Sequence, residues 1–127
     1  VTTANAWCID LNDAKPFTAY INELCAEYAN TQLNGDYARD FQAMFIIADA
    51  LNRVESLDPK EIRDAIASTK MGPEWLVVPW EGVEFDEKGQ NIYGEGIITQ
   101  IQDETYVTVF PEEFRTAEPV IPMPAWD

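Results

Sequence analysis

GIITQIQDETYVTVF, Gly96 to Phe110, is the stretch on which the fold turns. Its two β-rich runs, GIITQIQ and YVTVF, flank Asp103-Glu104 as two strands flank a turn. Upstream, WLVVPW (residues 75–80) has the same texture, and FDEKGQN (residues 85–91) separates it from GIITQIQ. FDEKGQN offers oxygen ligands at Asp86, Glu87 and Asn91 around Gly89, but it lacks the alternating acidic positions and the closing Glu of a calcium-binding loop. Asp-x-x-Gly between apolar runs is turn chemistry instead: Asp bonds its own backbone and Gly takes positive φ. The second half of the chain, after Gly72-Pro73, therefore reads as sheet.

Working back from the strands, three helices are expected. Between Pro16 and Ala29, Phe17, Tyr20, Ile21, Leu24, Cys25 and Tyr28 recur at steps of three and four, one stripe of a surface helix that ends at Asn30 and the Asn34-Gly35 turn. From Asp36 to Arg53, Tyr37, Phe41, Met44, Phe45, Ala48 and Leu51 make a stripe with Ala43, Ile47 and Ala50 beside it, which predicts a deeply buried helix. The third opens at Asp58, with Pro59 at the first helical position and Glu61 completing a capping box, runs to about Thr69 and buries Ile62, Ala65 and Ile66. Past Phe110, residues Pro111, Pro119, Pro122 and Pro124 forbid a regular ladder, so the tail 111–127 is expected to run extended over the surface with Trp126 placed to pin it.

Composition narrows the chemistry. The 127 residues make one ordinary domain, and 8 basic against 23 acidic side chains give a net charge of −15. A field of that sign repels phosphate backbones and anionic lipid, so nucleic acid and membrane surfaces are poor partners. Histidine is absent, which removes the usual general base and metal ligand together. No pair of carboxylates is singled out by spacing, so the chain reads as a non-enzyme without a cofactor or a metal. Cys8 and Cys25 leave two readings open: a disulfide in an oxidising compartment, or free thiols, with Cys25 packing as a small hydrophobe on the first helix. No window spans a bilayer, and VTTANAW shows no signal-peptide pattern.

Taken in order, FTAYINELCAEY, then FQAMFIIADALNRVESLDPKEIRDAI, then GVEFDEKGQN and IITQIQDETYVTVFPEEF resemble the C-terminal portion of a type I periplasmic binding protein. The branch it is most similar to is the branched-chain amino acid receptor of ABC transporters. The resemblance implies an α/β fold forming part of a two-lobed protein: residues 14–92 belonging to the first lobe, Trp7 to Leu11 a strand entering it, 93–110 a hinge strand near Tyr93 to Gly96 and the second-lobe strands, and 111–127 an extended tail. A complete receptor of that family is far longer, so the chain is expected to be a fragment.

The function so implied is binding of a small solute (an amino acid, an amide such as urea, or a small organic acid) in the periplasm or another extracytoplasmic space, and its delivery to an ABC permease. By the same resemblance Tyr37 corresponds to an aromatic that covers the ligand, and Asp36 stands where it could meet an ammonium group. From the residues alone, Tyr37 reads as the first core residue of its helix, and Asp36 as an N-terminal helix charge. Two other functions fit the pattern: a ligand-sensing regulatory module on the same fold, and a stand-alone α/β interaction domain. A fragment would expose apolar surface and favour self-association.

Overall fold

In the computed structural model, which describes residues 1–122, the chain opens with a short strand, β1 (Thr2–Asn5), and a 3-10 turn at Ile9–Asn12. Three helices follow: α1 (Pro16–Ala29), α2 (Gly35–Arg53) and α3 (Pro59–Ala67). Then come β2 (Lys70–Met71), a 3-10 turn at Pro73–Trp75, β3 (Val83–Glu84), β4 (Ile97–Gln102), β5 (Thr105–Phe110) and a last 3-10 turn at Glu112–Phe114. This is a mixed α/β fold of three helices and small antiparallel sheets, ordered β1-β4-β5 and β2-β3. Trp126 and Pro124 lie outside the described residues.

The helix ends follow from local chemistry. Pro16 starts α1 where a missing N–H costs nothing, and Asn30 closes it in the left-handed conformation at φ 50°, donating its N–H to Cys25 O. Asn34 does not end α1; it caps α2, its Oδ1 accepting from the Asp36 and Tyr37 N–H groups at 3.0 Å each. Asp58 caps α3 in the same way, accepting from Lys60 N–H at 2.9 Å, but Glu61 reaches Ser56 Oγ at 2.8 Å.

Between α3 and β4 the FDEKGQN turn forms as its chemistry requires. Asp86 Oδ1 accepts from Lys88 N–H at 2.9 Å and Gln90 N–H at 2.8 Å, Gly89 sits at φ 78°, and Phe85 bridges to Asn91. The β4-β5 hairpin turns on Asp103 and Glu104, both at positive φ (49° and 64°), the backbone of the tight turn that matches strand twist.

One buried cluster joins both halves of the chain: Trp7, Cys8 and Leu11, then Ile21 and Cys25 of α1, Leu33, Ala38 of α2, Val77 and Val78, and Ile97 of β4. Each large aliphatic side chain so buried contributes about 1.5–3 kcal/mol. Phe17 packs at the margin against Phe45, with ring centroids 5.4 Å apart, and edge-on against Trp75 at 6.1 Å.

Several expectations are corrected. Trp7 to Leu11 is not a strand, because Trp7, Cys8 and Leu11 all turn into the core, which strand alternation forbids; Leu11 N–H closes a turn on Cys8 O at 3.1 Å instead. WLVVPW is not a strand either. Its Val77 N–H donates to Gln42 Oε1 at 2.9 Å, Val77 O accepts from Thr18 Oγ1 at 2.8 Å, and Val78 O accepts from Lys15 Nζ at 2.8 Å, so side chains take the place of a ladder. Tyr93 to Gly96 forms no hinge strand. Asn91 organises it as a turn, accepting on Oδ1 from Glu84 N–H at 3.0 Å and Tyr93 N–H at 3.2 Å and donating from Nδ2 to Gly82 O at 3.2 Å.

The burial pattern is also corrected. On α1 the buried residues are Thr18, Ile21 and Cys25, while Tyr20 and Tyr28 are exposed. α2 is not deeply buried: Ala38, Gln42 and Ala50 face inward, whereas Tyr37, Met44, Ile47 and Leu51 remain exposed. α2 packs on α3, and it reaches α1 through Phe45 against Phe17 and Val77 through Gln42. The expected face of α3 (Ile62, Ala65, Ile66) is half-buried. No disulfide joins Cys8 to Cys25; both are buried free thiols within one core cluster.

Past the 3-10 turn at Glu112–Phe114, the described tail to Pro122 forms neither helix nor strand and is tied down at two places. Asp10 accepts on Oδ1 from Thr108 Oγ1 at 2.9 Å, and its other oxygen receives Thr108 N–H and Thr116 Oγ1. Further along, the Gln100 side chain mimics a strand neighbour: its Nε2 donates to Val120 O at 3.1 Å and its Oε1 accepts from Val120 N–H at 2.9 Å.

Candidate functional site

The first turn of α2 opens onto a cleft of about 900 Å³. Its walls come from four parts of the chain: β1 and the residues after it, the loop before α2 with Asp36 and Arg39, the Glu95-Gly96 turn, and Tyr106 on β5. Two of these walls are held by side-chain hydrogen bonds. Leu33 N–H donates to Asn22 Oδ1 at 2.8 Å, which fixes the loop leading into α2 against α1. Trp80 Nε1 donates to Glu95 O at 2.7 Å, which holds the opposite rim.

The chemistry of the cleft is of mixed sign. Asp36 and Glu95 are carboxylates and Arg39 is a guanidinium, and Asp36 pairs with Arg39 one helical turn apart. Both partners of that pair are well exposed, so the pair itself adds little to stability. Its use is geometric: the guanidinium has five donors in a rigid fork, and a single carboxylate leaves several available. The backbone donors at the start of α2 are a different matter, because Asn34 Oδ1 already takes those of Asp36 and Tyr37.

Trp7 also lines the cleft, and its buried indole N–H meets no acceptor among the described residues. A buried donor of this kind is unusual.

Tyr37 stands elsewhere. It is 42% exposed and lines a separate groove of about 640 Å³ between α1 and α2, with Leu24, Cys25, Tyr28 and Phe41. The two candidate residues are therefore neighbours in sequence that open onto different surfaces, as adjacent positions on a helix do. Tyr37 is not a core residue. Arg39, Glu95 and Trp7 were not singled out by the sequence; the one signal was the Asp36-Arg39 spacing of three, which a helix converts into an ion pair.

The groups Cys8, Cys25 and Lys15 have structural parts. Burial, helped by the neighbouring Asp10 carboxylate, pushes the Cys8 thiol up to about 11, and Cys8 Sγ donates to Tyr106 O at 3.6 Å. Burial likewise raises the Cys25 thiol. Burial brings Lys15 down to about 8, with its ammonium 5.7 Å from the centre of the Phe114 ring. Among the described residues, no group of three or more acidic or cysteine side chains is arranged to hold a metal ion. No helix of the described residues is long and apolar enough to cross a membrane. Compared with protein-family models, the chain matches none.

Proposed function

We propose that this chain is the C-terminal portion of an extracytoplasmic solute-binding receptor of the branched-chain amino acid type, serving an ABC permease. A small solute with both an ammonium and a carboxylate group docks beside the first turn of α2. The observation that carries this reading is the grouping of Asp36 and Glu95 with Arg39 in one open cleft. Arg39 takes the solute carboxylate by its fork and Asp36 and Glu95 take the ammonium, so one zwitterion satisfies both signs. An amide or a simple organic acid uses only part of that set.

The exposed stripe Tyr37, Met44, Ile47 and Leu51 supports the same reading, since the rest of a two-lobed receptor would cover apolar surface of this kind. A receptor that binds at micromolar concentration gains about −8 kcal/mol; with roughly half its contacts, this chain retains about −4 kcal/mol, a dissociation constant near 1 mM.

The test is an NMR titration of the chain with leucine, valine, urea and acetate. Leucine is expected to bind near 1 mM, shifting amides at Asn34 to Arg39 and at Glu95, and Arg39→Gln should weaken it about tenfold. Absence of any shift at about 20 mM leucine, or shifts confined to the groove around Tyr37 and Phe41, refutes the assignment.

A further inference from the structure

We propose that the open edge of β1 is a self-association surface, at which a second copy of this chain adds its own β1 antiparallel across a twofold axis. The occupant is another copy of the protein, which goes beyond the solute reading above.

The three-stranded sheet has two edges, and they differ. On β5 the outward groups belong to Tyr106 and Thr108, and three of them are taken up by the chain itself: Tyr106 O accepts from Cys8 Sγ at 3.6 Å, Thr108 N–H donates to Asp10, and Thr108 O accepts from Thr116 N–H at 2.9 Å. On β1, Ile101 N–H donates to Val1 O at 3.1 Å, so Val1, Thr3 and Asn5 turn their backbone groups toward β4. Alternation then turns those of Thr2 and Ala4 outward. No other strand among the described residues pairs with that side. The edge carries neither proline nor charge, two of the devices that discourage strand addition.

Charge decides the occupant. At a net charge of −15, two copies repel, and an interface between them must avoid bringing acidic side chains together. Val1 to Ile9 is the longest run in the chain without a charged side chain, and it contains β1. The strand itself carries no charged side chain, so an identical uncharged strand fits against it. With the twofold axis through Thr3, Thr2 of one copy lies opposite Ala4 of the other. Each such pair exchanges two hydrogen bonds, about four in all, and the Thr3 side chains of the two copies meet as a close cross-strand pair.

Sedimentation equilibrium up to about 1 mM protein, the range in which a small interface associates, tests this. A reversible dimer is expected, tightening from low to high salt as screening relieves the repulsion. Ala4→Pro removes an outward N–H in each copy and leaves the ladder to β4 intact, so dimerisation should weaken roughly 30-fold, the worth of two typical hydrogen bonds. Ala4→Asp, which keeps the backbone and sets like charges near the axis, should weaken it as well and decides the matter if the proline variant does not fold. A monomer at about 1 mM in both salts overturns the proposal, as does a dimer unaffected by the folded variants.

Discussion

Asp10 is the residue whose loss the fold should feel most sharply among its exposed and half-buried groups. Its carboxylate receives the Thr108 N–H, the Thr108 hydroxyl and the Thr116 hydroxyl, and so ties the 3-10 turn after β1 to β5 and to the tail. Thr108 is fully buried, so Asp10→Ala leaves its hydroxyl without that acceptor and its N–H with only Thr116 Oγ1 at 3.2 Å. Hydrogen bonds to a charged group are worth about 1.5–3 kcal/mol, and with Asp10 only half-buried the cost should be about 2 kcal/mol. For a domain of this size that is about 8 °C in Tm.

The pH dependence supplies a second, independent check. Burial acts to raise the Asp10 carboxyl, but hydrogen bonds from the Thr116 hydroxyl and from the Thr108 N–H and hydroxyl outweigh it and hold the group below its ordinary value. A carboxylate lowered on folding contributes stability that is fully present above its unfolded value of about 4 and is lost as pH falls through its folded value. Urea denaturation followed by tryptophan fluorescence should therefore show a gap of about 2 kcal/mol between wild type and Asp10→Ala at pH 6, shrinking steadily below about pH 4. A gap under about 0.5 kcal/mol at pH 6, or one that persists unchanged to about pH 2, refutes the tie.

Three further outcomes are expected. Gly89→Ala should cost about 1 kcal/mol in the same denaturation assay; at φ 78° the penalty is purely conformational, because an added Cβ meets nothing within 4 Å. Asn34→Ala should cost about 1 kcal/mol by uncapping α2, while Asn34→Asp should restore most of it; equal stability of Asn34→Ala and wild type would remove Asn34 from that role. Cys8, buried and raised to about 11, should react with a thiol reagent at pH 8 far more slowly in the native protein than in denaturant, and rapid native labelling would contradict its burial.

What the sequence made legible was what neighbouring residues decide among themselves. The limits of α1 followed from its three-and-four spacing and Pro16, the start of α3 from Asp58-Pro59, and the β4-β5 hairpin from two β-rich runs around Asp103-Glu104. The FDEKGQN turn was legible for the same reason, since Asp86 caps groups only two and four residues on.

Long-range partnerships were not legible. WLVVPW has every mark of a strand, yet Gln42 and Thr18, 35 and 59 positions earlier, claim the backbone of Val77. Gln42 lies within an apolar pattern that predicts burial of Met44 and Leu51, and the polar residue is the one that went inside. The candidate cleft shared this fate. Asp36 was visible as a charge at a helix start, but Glu95 and Trp7 join it only because β1, the α2 entry loop and the turn before β4 converge.

The register of β1 sets an order of events in time. Thr2 lies against Gln100 and Asn5 against Ile97, so this strand finds its place only after nearly the whole chain has been brought round. The β4-β5 hairpin, closed by two residues, forms within microseconds, and the helices nucleate as quickly, but closing so long a loop is entropically costly and must wait for them. β1 is thus expected to join last during refolding and to leave first under stress. In the interval β4 has one bare side, so the most hazardous moment for this chain falls between the completion of its hairpin and the arrival of its own first residues.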